Sequence, residues 1–260
     1  SNEYRELMRY LSVVKMSLTE LVSSDQGYYD SVKGRIMARS QSIKIYELLD
    51  QCRNIIVYNK PGANVLRYLL HKMNNRVISY KQCDRLSGLY LDYGCIPFDC
   101  MPYCTSLRQH NPRIYDLFEA IPFSGHEHEL FARHIKNNTE IEGHLFTQKA
   151  EIVGFEDIDS LIGKYNSSLY YKHIGRRIEE YKDCLYIKSY VEDATEIIKK
   201  LLELSSSGVS QYTASVDSWI LREAYVIDDD GKKEALRQMF ANSRVALIYG
   251  SAGTGKSTLI

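Results

Sequence analysis

The sequence predicts a helix-rich α+β protein with a small mixed or parallel sheet, running at its C-terminus into the start of a P-loop core. Three observations predict it. Apolar residues recur at helical four-three spacing over the first fifty residues. Short β-prone runs bracket a helical pattern between Ile55 and Tyr80. The stretch Val245–Ile260, VALIYGSAGTGKSTLI, couples an apolar run to a glycine-rich loop. The chain then divides into a helical hairpin over 1–53, an α/β accessory domain over 54–208, and a connector with the first strand and P-loop over 209–260.

Leu7, Leu11, Val14, Leu18 and Leu21 form one apolar seam, which predicts a single helix of about five turns. The run Ser23–Gly27 breaks it. Val32, Ile36, Ile43 and Leu49 mark a second helix folding back on the first. Ile55–Tyr58 is expected as a buried strand, Asn59–Gly62 as a turn, Val65–Met73 as a helix and Val77–Tyr80 as a second strand. That is a βαβ unit, and its Asn59–Asn64 turn sits where α/β proteins hold ligands. The turn lacks a G-x-G-x-x-G pattern, so ordinary turn chemistry is the preferred reading.

Arg85–Pro112 holds three of the five prolines and is expected as an irregular loop. It also gathers Cys95, Cys100, Cys104 and His110, a potential zinc set. The spacing C-x4-C-x3-C-x5-H contains no C-x2-C pair, and small buried cysteines are the preferred reading. Arg113–Ala120 and Glu127–Asn138 are expected helices. His126, His128 and His134 accompany the second, but HEHEL departs from H-E-x-x-H at Leu130, so they are read as surface groups.

Leu145–Thr147 and Glu151–Val153 suggest edge strands, and Asp157–Tyr165 a helix that continues through Leu169–Tyr181. Within that continuation Lys172, His173, Arg176 and Arg177 mingle with Tyr170, Tyr171 and Tyr181, as a face contacting a phosphate backbone would. Glu179, Glu180 and Asp183 offset the charge, so an ion-paired, solvated helix is preferred. Cys184–Ile187 reads as a strand. Val191, Ala194, Ile198 and Leu201 mark an amphipathic helix stopped by Ser205–Gly208, and Ser215–Glu223 a short helix around Trp219. Asp228–Gly231 is expected to cap a helix over Lys232–Ala241.

Val245–Tyr249 is expected as a buried parallel strand feeding the loop. Gly250, four residues, then Gly255-Lys256-Ser257 fits G-x-x-x-x-G-K-[ST]. Glycine lets the chain curl until bare N–H groups surround a phosphate. Gly250, Ser251, Ala252, Gly253, Thr254, Gly255, Lys256, Ser257 and Thr258 are the candidate ATP contacts. Lys256 is the candidate catalytic residue, placing its ammonium on the β/γ-phosphates, and Ser257 the candidate ligand for the nucleotide's Mg2+. No nucleophile–base constellation is visible elsewhere in the sequence.

The 33 basic residues balance 33 acidic ones, so overall charge argues for no nucleic-acid partner and any basic surface must be local. No run of 18 apolar residues exists, and no membrane partner is expected. Six cysteines beside a nucleotide motif point to a reducing cytoplasm rather than a disulfide scaffold. Tyrosine is abundant, 21 against seven Phe and one Trp, and amphipathic packing at the core edge accounts for most of it.

The run EALRQMFANSRVALIYGSAGTGKSTLI resembles the start of the motor core in superfamily I DNA/RNA helicases, whose first motif reads G-x-A-G-T-G-K-[ST] as Gly250–Ser257 does. The resemblance implies a RecA-like core, ATP with Mg2+, and nucleic acid together with the remainder of its own ATPase core as partners. It also implies an adenine-contacting glutamine, for which Gln238 is the candidate. The first 225 residues look like the leading region of bacterial helicase-like ATPases. Because the motif falls at the end of the printed sequence, and Ser1-Asn2 resembles a tag-cleavage scar, the expectation is an N-terminal part whose ATP hydrolysis needs the full-length protein. The rival expectation is a regulatory or defence P-loop ATPase whose first 225 residues form an effector or partner-binding domain.

Overall fold

Leu7, Leu11, Leu18 and Leu21 are all buried, but on two helices rather than one. α1 (Asn2–Val14) stops at Lys15, which takes a φ of +54°, and the Met16 N–H returns to the Leu11 carbonyl at 3.1 Å. That is a Schellman closure with lysine in the left-handed position glycine usually fills. α2 (Leu18–Ser23) opens on a capping box, with the Ser17 hydroxyl accepting from the Glu20 N–H and the Glu20 carboxylate from the Ser17 N–H. The structure, a computed structural model, describes residues 2–40, 43–71, 95–107, 110–222, 227, 229–249 and 252.

The second expected helix is also two: α3 (Gln26–Met37), capped by Asp25, and α4 (Lys44–Val57). The N-cap of α4 is Ile43, which has no polar side chain to offer. Glu3 supplies the cap instead. Its carboxylate, on a residue only 1% exposed, accepts from the Ile45 N–H at 3.1 Å and the Tyr46 N–H at 3.0 Å. α4 runs straight through the expected strand Ile55–Tyr58. Ile55 and Ile56 are buried on its last turns, which close where Asn59 takes a φ of +46° and the Lys60 N–H bonds the Ile55 carbonyl at 2.9 Å. The first strand of the expected βαβ unit therefore does not exist. The second, Val77–Tyr80, lies outside the described residues.

α5 (Ala63–His71) joins two apolar clusters. Ala63 and Leu66 pack with α1–α4 around Tyr29, Tyr46 and Leu21. Val65, Tyr68 and Leu69 pack with Phe98 of α6 (Ile96–Cys100), Tyr103, and Leu117 and Ala120 of α7 (Ile114–Ala120). Tyr29, Tyr46, Tyr68 and Tyr103 are among the largest fully buried side chains, so these four are core rather than core edge. α8 (Glu127–Glu140) and α9 (Ile158–Ser168), the latter capped by Asp157, follow as expected.

The sheet is antiparallel, not mixed or parallel. β1 (Thr147–Gln148), β2 (Ile178–Tyr181) and β3 (Cys184–Ile187) lie in the order β1-β3-β2, with Thr147 opposite Leu185 and Tyr181 opposite Cys184. Lys182 and Asp183 connect β2 to β3, both at positive φ, +48° and +62°. Two consecutive left-handed residues match the twist of a tight hairpin. The helix expected through Tyr181 is thus replaced by a 3-10 turn at Tyr171–Arg176 and a strand. Glu151 ends another 3-10 turn, Lys149–Glu151, rather than opening a strand.

The chain separates into two units, Ser1–Lys188 and Ser189–Ile260. Both apolar clusters belong to the first. In the second, α10 (Lys188–Ser205, its first residue at the boundary), α11 (Tyr212–Arg222) and α12 (Asp230–Gln238) carry no fully buried residue. Val245–Tyr249, expected as a buried strand, pairs with nothing among the described residues, and Leu247 and Tyr249 are 89% and 94% exposed. A strand needs an edge to join, and the described part of this unit contains none. No helix among the described residues is long and apolar enough to cross a membrane.

Candidate functional site

Of the P-loop contacts, only Ala252, which is exposed, falls among the described residues. Gly250, Ser251, Gly253, Thr254, Gly255, Lys256, Ser257 and Thr258 lie outside them. Leading toward the loop, α12 is capped as the acidic turn foretells, with Asp229 accepting from the Lys232 N–H at 2.9 Å. Gln238, at its end, donates from its amide to Glu234 at 2.5 Å.

The first unit holds a cavity of about 940 Å3 between the Asn59–Asn64 turn, the end of α6 and the Ile121–His126 loop. The turn does reach a cavity, but at the end of a helix instead of a strand. Asp99 fills its N–H groups: the carboxylate accepts from Gly62 at 2.6 Å, Asn64 at 2.9 Å and Val65 at 3.3 Å. This caps α5 from 35 residues away and leaves no empty anion cradle there. Arg67 on the wall donates to Asn64 Oδ1 at 2.9 Å and to the Ile56 carbonyl at 3.1 Å, and burial lowers its pKa.

On the opposite wall His126 bonds through Nδ1 to Glu129. Glu129 is fully buried, and its other oxygen accepts from the Tyr103 N–H at 2.8 Å. Tyr103 is pinned in turn by its hydroxyl donating to the Ile121 carbonyl at 2.6 Å. Burying a carboxylate is costly unless its oxygens find hydrogen-bond donors. The consequence for His126 is a ring fixed through Nδ1 beside the cavity. Cys100 is exposed on the same cavity, and burial, then Asp99 and Glu129, raise its pKa, so it rests as a thiol. His128, 5% exposed, is driven down to about pKa 4, first by burial and then by Lys164 and His126.

Comparison with protein-family models, with curated proteins and with solved structures returned no match. His126 and His128 were expected on the surface. They are half-buried and buried because Glu129 and Tyr103 draw the start of α8 inward. HEHEL held that signal only in the E three residues after His126, which a helix returns to the same side.

The candidate zinc set disperses. Cys95 lies in the apolar cluster, Cys104 points its thiol toward the Met101 carbonyl at 3.8 Å, and His110 Nε2 meets the Tyr68 hydroxyl at 2.7 Å.

The basic cluster, by contrast, emerges more open than expected. Lys172, Arg176 and Arg177 are exposed, as is Tyr171 at 64%, with Lys172 Nζ 5.7 Å from the Tyr171 ring centre. Glu180 pairs with Lys149 at 2.6 Å and Glu179 with Lys188 at 3.7 Å. Two of the three acids expected to offset this face, Glu179 and Glu180, are thus engaged with Lys188 and Lys149, and Arg176 and Arg177 form no ion pair among the described residues.

Proposed function

We propose that this chain is the leading accessory region and Walker A motif of an ATP-dependent helicase or translocase working on nucleic acid in the cytoplasm. The observation that carries this reading is the motif Gly250-x4-Gly255-Lys256-Ser257 with its helicase-like wording GSAGTGKS. Lys256 is the residue to stabilise the transferring γ-phosphoryl group and Ser257 the one to place Mg2+. Hydrolysis requires the acidic and water-orienting residues of a complete core.

The exposed Lys172, Arg176 and Arg177 support the nucleic-acid part of the reading. They offer point charges and forks to phosphates, beside an exposed Tyr171 ring that packs against Tyr170 with centroids 4.6 Å apart. Labelled single-stranded oligonucleotide titrated at low salt is expected to bind the wild-type chain, and Arg176→Ala with Arg177→Ala to bind it about tenfold more weakly or worse. Equal binding by both proteins would contradict the placement.

One observation favours the rival reading, an effector domain attached to a regulatory or defence ATPase. The first unit owns a cavity with an imidazole oriented by a buried carboxylate, an arrangement suited to general acid–base work. Failure to bind any oligonucleotide at low salt would move the balance to that reading.

A further inference from the structure

We propose that His71, Asp116 and Glu119 form a binding site for a divalent transition-metal ion. The inference is independent of the nucleotide reading, since all three residues belong to the first unit and none to the P-loop.

His71 is the last residue of α5, and Asp116 and Glu119 stand three apart on α7, hence on one side of it. α5 and α7 are packed through Tyr68, Leu69, Leu117 and Ala120, so the ligands come from a rigid pair of elements. One ligand atom from each residue lies within 4.8 Å of the others, and His71 Nε2 is 3.1 Å from Glu119 Oε2. Donors around one ion with bonds of about 2.1 Å sit roughly 3.4 Å apart in a tetrahedron, so small side-chain movements close the site.

Two further features favour a cation. Two carboxylates this close repel each other, and His71 is the one ion-pair partner of Glu119 among the described residues. His110 lies within electrostatic reach of Asp116 and is held through Nε2 by the Tyr68 hydroxyl. His71, whose side chain is 13% exposed, and the two carboxylates make a nitrogen–oxygen donor set with no thiolate. That set suits Mn2+, Fe2+, Co2+ or Zn2+, whereas Mg2+ prefers oxygen alone. A plain His71–Glu119 ion pair is the competing account, and it requires no metal affinity.

Co2+ is the probe, titrated into the nucleotide-free 260-residue chain and followed by visible absorption. One ion per chain with d–d bands and no thiolate-to-cobalt charge transfer is expected. Glu119→Gln and Asp116→Asn should each weaken binding about tenfold or more. Glu119 is 68% exposed, so its change leaves the fold intact, checked by far-ultraviolet circular dichroism. No binding at millimolar Co2+, binding indifferent to Glu119→Gln, or a charge-transfer band assigning the ion to cysteines would each overturn the proposal.

Discussion

Carboxylates, two buried and one half-buried, set much of the geometry at the residue scale. Glu3 closes the N-terminus of α4, Asp99 that of α5, and Glu129 holds both the Tyr103 N–H and His126. Removing one leaves buried N–H groups without acceptors, which costs more than the bond was worth. Glu3→Ala is expected to destabilise the first unit by about 2–3 kcal/mol in urea melts, and Glu3→Gln by less. A loss within the error of the melts would show that the trans cap carries no energy. His128 makes stability depend on pH. Its folded pKa of about 4 lies below the ordinary 6.5, so unfolding in acid takes up a proton. Stability is complete above about pH 6.5 and falls as pH drops toward 4, by at most about 1.4 kcal/mol per unit. His128→Gln should flatten that slope. The sequence revealed none of these partners, because each depends on a residue brought from far along the chain or buried by one that is.

Elements with local signals were legible, and those without were not. Asp157 and Asp229 cap helices whose starts the sequence announced, through bonds to N–H groups three residues on. The turn at Asn59–Gly62 was expected, but the break at Lys15 was invisible. Lys15 and Asn59 end helices in the left-handed region, and Lys182-Asp183 turn a hairpin where Asn-Gly would have given it away. The run Ile55–Tyr58 looked like a strand because a short apolar run has no period of its own. Its helical neighbours and the Asn59 closure decide the matter. Lys15→Gly relieves a side chain from a disfavoured φ and should raise stability by up to about 1 kcal/mol. Lys15→Val should lower it, and a reversed order would show that the Lys15 conformation is not what separates α1 from α2.

At the scale of the whole molecule the two units differ in kind. The first contains both apolar clusters, whereas no helix of the second buries a residue fully. Residues 1–188 expressed alone should therefore unfold cooperatively, with a denaturation midpoint close to that of the 260-residue chain. A non-cooperative transition would mean that the second unit completes the core. The P-loop, the strongest functional signal in the sequence, tells nothing of the first unit. The features there on which the proposals rest, the His126–Glu129 cavity, the His71–Glu119 cluster and the exposed Arg176–Arg177 face, depend on packing and hairpin formation that no motif records.

The proposed role in nucleic-acid work is tested most directly by a salt series of single-stranded oligonucleotide binding to the wild-type chain. Contacts from Lys172, Arg176 and Arg177 should give a log–log slope of about −2 or steeper, since each neutralised phosphate of a single strand contributes roughly −0.7. Affinity that does not change with salt, or no binding at the lowest salt, would contradict it.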